Sequence, residues 1–148
     1  MEEKTPYICG PLTELVPDEQ VRVKKFYEKI GDLCQEVLGA RGFVPHEHYD
    51  PIKHAGFTPS QVDEGERDRV CNKTSLLIVA TPAPSWGGGI EVEMAYRSGV
   101  PIILLCQADK LEARQISRLL RGNPGIKETI VYKDEADGLA KLRVVLGA

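Results

Sequence analysis

The sequence predicts an α/β protein built on an open parallel sheet with helices on both faces. Three observations carry that prediction. Short apolar runs alternate with helical patterns five times along the 148 residues, the rhythm of β–α units. The runs SLLIVA (75–80) and PIILLC (101–106) do not alternate with polar residues, which suits strands covered on both faces. No internal repeat or low-complexity linker interrupts the chain. Residues 1–148 therefore read as a single domain, long enough to bury a proper core.

The first strand is YICG, Tyr7 to Gly10. A long helix follows from about Pro17 to Arg41, with Phe26, Ile30, Leu33 and Val37 on one face. Asp18 is a suitable opener and Gly42 a suitable stop. The second strand is GFVPH, Gly42 to His46, and a second helix runs from Pro59 or Asp63 to Lys73. SLLIVA, Ser75 to Ala80, is the third strand; the helix after it spans Ile90 to Ser98 and stops at Gly99. VPIILLC, Val100 to Cys106, is the fourth strand, followed by a helix over Lys110 to Leu120. TIVY, Thr129 to Tyr132, and a helix from Glu135 to Leu146 complete the chain. Five strands in this alternation predict a Rossmann- or flavodoxin-like order, 2-1-3-4-5. Ligands then bind beyond the carboxyl ends of strands one and three, where the order reverses. The loops there are GPLTEL and TPAPSWGGGIE.

Composition narrows the function. With 42% apolar and 28% charged residues the chain is of ordinary globular type. No apolar run reaches the ~18 residues of a membrane span, and MEEKTPYICG lacks a basic then hydrophobic leader; a cytoplasmic location is expected. The net charge of −3 and the lack of a basic stripe argue against duplex nucleic acid as a partner. Cys9, Cys34, Cys71 and Cys106 are widely spaced without a CxxC pair, as expected of reduced thiols, most of them buried.

The most informative stretch is TPAPSWGGGIEVEMA, Thr81 to Ala95. Gly87, Gly88 and Gly89 clear side chains from a surface that something must approach closely. Glu91, in the first turn of the predicted helix, meets unpaired N–H groups and the positive end of the dipole. A carboxylate there should stay ionised at neutral pH, as a nucleophile on an electrophilic sugar carbon requires. Complementing the helix dipole is the other reading of a glutamate at that place. Ser85, with the loop N–H groups and the helix start, makes a phosphate-sized anion site; a serine satisfying its own turn is the simpler reading. Glu93 points the other way round the helix.

YICG, then PSWGGGIE, then SRLLRG resemble, in that order, the nucleoside 2-deoxyribosyltransferase superfamily. The resemblance is nearest to its branch of 2'-deoxynucleoside 5'-monophosphate N-glycosidases and covers most of the chain. It implies that Glu91 is the nucleophile and forms a covalent deoxyribosyl intermediate, with Tyr7 orienting it. It implies that Ser85 binds the 5'-phosphate, and that Ser117 reaches the phosphate in a neighbouring subunit's site, so that a homodimer shares its active sites. An acidic residue before the third strand would serve the base as general acid and then water as general base. Asp68 is the candidate and Glu66 its substitute. Gly10 closes the first strand motif, and Gly88 and Gly89 would let backbone approach the ribose or phosphate.

Two departures accompany the resemblance. Where the branch resembles Ser–Ile–Arg after Gly10, this chain has Pro11, Leu12 and Thr13. A charge-assisted phosphate contact is lost, for which the Thr13 hydroxyl can substitute. The loop HEHYDPIKHAGF, His46 to Phe57, is rich in histidine. His46 and His48 share a face if the second strand continues, which permits a metal pair without an evident third ligand; base-proximal or surface histidines are the alternative. The implied reaction is a retaining two-step cleavage of the N-glycosidic bond of a (2'-deoxy)nucleoside 5'-monophosphate, needing no cofactor or metal. Base exchange between deoxynucleosides, and nucleotide binding without turnover, are the competing readings.

Overall fold

The computed structural model describes residues 3–148. Four strands form one parallel sheet in the order β1-β2-β3-β4: β1 Thr5–Cys9, β2 Thr74–Ala80, β3 Ile102–Gln107 and β4 Ile126–Tyr132. The expected five-stranded order 2-1-3-4-5 is thus corrected to four strands in chain order. The missing strand survives as one bridge, Tyr7 to Phe43, on the side of β1 away from β2. Phe43 exchanges two backbone hydrogen bonds with β1, Ile8 N to Phe43 O at 2.9 Å and Phe43 N to Pro6 O at 2.8 Å. Pairing ends there because Pro45 has no N–H to give and the chain turns at once into α2, His46–Tyr49.

The helix α1, Pro17–Leu38, starts with proline in its first turn and stops when Gly39 adopts φ 78°, its N–H reaching Gln35 O. It ends short of Arg41 for that reason. Helix α3, Pro59–Asn72, is opened by a capping box between Thr58 and Gln61. Helix α4 is Trp86–Arg97, with Ser85 as N-cap accepting from Gly88 N. The single helix expected over Lys110 to Leu120 is two short ones, α5 Ala108–Glu112 and α6 Arg118–Arg121. Arg114, at φ 58°, breaks the path between them. Helix α7, Glu135–Gly147, is capped by Asp134.

Strand alternation sorts the core into two layers. Ile8, Ile78, Ile103, Leu105 and Ile130 pack with α1 and α7, through residues such as Phe26, Ile30 and Leu142. Tyr7, Cys9, Leu77, Val79 and Leu104 pack on the opposite face with Val70 of α3 and Val92 of α4. Cys9, Cys34 and Cys106 are buried free thiols and Cys71 is half-buried. Among the described residues no helix is long and apolar enough to cross a membrane. Tyr7 and Cys9 therefore face α4 just where the sheet's carboxyl end opens.

Candidate active site

Two neighbouring cavities open at the carboxyl ends of β1 and β2. The smaller, 260 Å³, is lined by Gly10, Thr13, Tyr49, Glu66, Gly87 and Glu91, among others. The larger, 730 Å³, takes in Trp86, Gly89, Ile116, Ser117 and Leu119. Gly10, Ser85 and Gly88 border both. The structure thus gathers Glu91, Gly10, Thr13, Ser85, Gly87 and Gly88 at the smaller cavity. Ser117 and Gly89 belong to the larger one.

Glu91 differs from its expected setting. The helix begins at Trp86 rather than Ile90, so Glu91 lies in its second turn, beyond the free N–H groups. The glycines are helical instead of forming a loop, because Ser85 caps Gly88 N at 3.0 Å. Glu91 is only 9% exposed. Burial and the nearby Glu66 charge push its pKa up to about 8, partly offset by the Tyr7 hydroxyl and the Cys9 thiol. The expectation of a carboxylate fully ionised at neutral pH is therefore corrected: burial in the second turn favours the protonated form of Glu91. Its Oε1 accepts from Cys9 Sγ at 3.6 Å, while Oε2 is buried without a partner, as is the Tyr7 hydroxyl. Tyr7 is fully buried, stacked on Phe43 at 5.4 Å between centroids, and burial followed by the Glu91 charge raises its pKa.

The second carboxylate of the cavity is Glu66. Burial, then the Asp63 charge, pushes it up to about 7. Asp68 lies elsewhere: it is exposed, accepts from Asn72 Nδ2 at 2.9 Å and pairs with Lys73 at 3.2 Å. Two residues along a helix turn the side chain about 200°, so α3 can direct only one of the two inward. Its orientation is set by Val70, fully buried in the sheet core.

Other residues at this site carried weaker signals. His46 is buried with Nε2 3.0 Å from Glu28 Oε1, and its Nδ1 has no partner. His48 is exposed and stacks on Phe43. They lie in a helix, so the shared strand face on which a metal pair depended does not exist. Tyr49 reaches over α3 so closely that a Cβ on Gly65 would lie 2.1 Å from its hydroxyl. Tyr27 donates to Pro11 O at 2.8 Å and occupies the space a Cβ on Gly10 would need, 2.5 Å away. Cys9 was legible only as a buried thiol; nothing in YICG announces its contact with Glu91. Glu93 turns outward to Arg97 and Asn123.

The orphaned atoms matter chemically. Buried polar groups are nearly always paired. Among the described residues, four buried side-chain atoms lack partners, and three of them belong to Tyr7, His46 and Glu91. Among the described residues no group of three or more potential metal ligands occurs.

No protein-family model matches the chain, and no curated protein is significantly similar to it in sequence. Solved structures are similar. The CMP N-glycosidase BcmB of Clostridium botulinum has a TM-score of 0.68 at 21% identity, covering 95% of this chain and 99% of its own. BlsM matches at a TM-score of 0.64 and 22% identity, covering 97% of this chain and 92% of BlsM. A conserved protein of Enterococcus faecalis V583 matches at 0.67 and 16% identity, covering 97% and 99%. At these identities the likeness is one of fold, and it extends over nearly the whole chain.

Proposed function

We propose that this protein is a nucleotide N-glycosidase, releasing the free base from a (2'-deoxy)nucleoside 5'-monophosphate. The observation that carries the reading is the meeting of two carboxyls, the half-buried Glu66 and the buried Glu91, in one cavity beside the glycine-faced start of α4. One structural neighbour is itself a CMP N-glycosidase, which supports the same chemistry here.

Two carboxyls that face one cavity, each raised toward neutrality by burial, can divide the roles of acid and base. Retaining cleavage needs that division: one carboxylate to attack, one acid to assist departure. Of the two, Glu91 is raised further and holds a proton more tightly. A sugar carbon acquiring positive charge beside Oε2 favours the ionised form of Glu91, and the proton then belongs on Glu66. The Glu91 oxygen bonds to C1' as the C1'–N bond breaks, and the electron pair leaves with the base, protonated from Glu66. Ionised Glu66 next takes a proton from water, which displaces Glu91 and frees the sugar phosphate. Tyr7 orients Glu91 by offering its hydroxyl.

The Ser85 hydroxyl and the Gly87 N–H, beside side-chain-free Gly88 and Gly89, form the phosphate end of this reading. Ser117, exposed on the larger groove, completes it from a second subunit of a homodimer. Trp86 and Leu119, 86% and 89% exposed on the same groove, supply apolar surface for that contact. The test is a panel of ribo- and deoxynucleoside monophosphates assayed for free-base release with wild type and Glu91→Gln. Release by wild type and loss of at least a thousandfold in the variant is expected; equal rates would remove Glu91 from the reaction. Ser117→Ala should weaken monophosphates more than nucleosides, and equal loss for both would count against its phosphate role.

One observation favours a second reading. Thr13 stands exposed where an arginine would grip phosphate, which suits a deoxyribosyltransferase acting on nucleosides. Added free base would then give a new nucleoside instead of free sugar.

A further inference from the structure

The two oxygens of Glu91 have unlike surroundings. Oε1 lies 3.6 Å from Cys9 Sγ, and the same sulfur lies 3.7 Å from the Gly88 carbonyl. Oε2 has no partner. Cys9 is wholly buried on the face of β1 that meets α4. A Cβ on Gly88 would crowd Ser85 Oγ at 3.1 Å and meet Cys9 Sγ at an ordinary contact distance of 3.5 Å. The middle glycine thus leaves room for the capping serine where the thiol and the helix meet.

We propose that Cys9 is a positioning residue that holds Oε1 of Glu91 through its thiol hydrogen, so that Oε2 is the oxygen presented to the sugar. The proposal rests on the glycosidase reading above. In the attack the new bond is Oε2–C1', the electron pair leaves with the base, and the thiol proton stays on sulfur. Burial and the Glu91 charge keep that thiol protonated, so it remains a donor throughout. The chemistry suits a thiol better than a hydroxyl. S–H is a weak donor, so it can fix the rotation of the carboxylate while drawing little electron density from it. A short O–H bond to an ionised acceptor is considerably stronger and would make Glu91 a poorer nucleophile.

The groups around Glu91 are Tyr7 and Cys9 on β1 and Glu66 on α3. Glu14 and His46 line the same cavity. All but Cys9 stay unchanged in the variants Cys9→Ala and Cys9→Ser. The Glu91 carboxyl is titrated in each ligand-free protein by isotope-edited infrared spectroscopy, and base release is followed against pH. Cys9→Ala should raise the Glu91 midpoint by about one pH unit and lower kcat about tenfold with KM held. Cys9→Ser should move the midpoint below wild type and recover part of the rate, with kcat above that of Cys9→Ala but below wild type. Wild-type titration and turnover in Cys9→Ala would overturn the proposal, as would midpoints displaced in the same direction by both substitutions. If wild type releases no base while the midpoints still fall in the order serine, cysteine, alanine, the hydrogen bond stands and the glycosidase reading falls. The assignment of Oε2 as attacking atom falls with it.

Discussion

Replacing Glu91 by glutamine should make the protein more stable, and increasingly so as pH rises. Glu91 is raised from the ordinary 4.5 to about 8 by burial first and the Glu66 charge second. A carboxyl with a raised folded-state pKa binds more protons folded than unfolded between those two values. Its contribution is intact below the unfolded value and is lost as pH climbs through the folded one. The interval from 4.5 to about 8 converts to about 5 kcal/mol, an upper limit because water and local movement relax a buried charge. Most of it, about 4 kcal/mol, develops between pH 5 and pH 9. Glutamine keeps the shape and removes the ionisation. Urea unfolding of both proteins at pH 5, 7 and 9 should show the variant's advantage widening with pH. The matching difference in Tm at pH 9 is on the order of 10 °C for a chain of this length. Parallel stability curves would refute the reasoning, since a carboxyl that ionises freely in the folded state costs nothing when it does so.

Three further outcomes follow from the same site. Glu66→Gln removes the charge that raises Glu91, so the acid limb of the pH–rate profile should move to lower pH while the maximal rate falls about a hundredfold with the loss of the acid; an unmoved limb would separate the two carboxyls. Ser85→Ala deletes the α4 N-cap bond to Gly88 N and should cost about 1 kcal/mol in urea unfolding, together with a higher KM for monophosphates than for nucleosides. Gly65→Ala places a Cβ 2.1 Å from the Tyr49 hydroxyl and should destabilise by roughly 1–3 kcal/mol, with Tyr49→Leu in the same chain recovering most of the stability.

Much of this was legible in the sequence where the signal is local and periodic. The runs 75–80 and 101–106 became central strands because an unbroken apolar run has no other place in a sheet covered on both faces. The resemblance drew attention to Glu91 and Ser85, which the fold brings to one end of the sheet. What the sequence hid is angular and tertiary. GFVPH has strand composition, but Pro45 limits it to the single bridge at Phe43. Lys110 to Leu120 has helical composition, but Arg114 at φ 58° divides it. Asp68 and Glu66 are both acidic and two residues apart; only the burial of Val70 decides which of them looks into the cavity. The state of Glu91 was hidden for a related reason. A helix start four residues earlier carries it away from the N–H groups and into the protein interior, where desolvation outweighs the dipole.

That earlier start also sharpens the question of the glycine run, because helical glycines work against folding. Each costs up to about 1 kcal/mol relative to alanine in a helix, and no positive φ requires any of the three. Gly88 has a packing reason in Ser85, but a Cβ on Gly87 or Gly89 would meet nothing within 4 Å. Gly87 borders the Glu91 cavity and Gly89 the larger groove. Folding alone therefore favours alanine at both, and what opposes it must be something that comes close to the helix from outside. Gly87→Ala and Gly89→Ala should each raise stability by a few tenths to about 1 kcal/mol, while KM for the nucleotide rises severalfold. The two effects have separate origins, one in the unfolded chain and the other in the bound state, and urea unfolding and steady-state kinetics read them independently. Alanines that stabilise the helix and leave KM and kcat untouched would mean that nothing approaches this backbone, and that Glu91 has no substrate held in front of it.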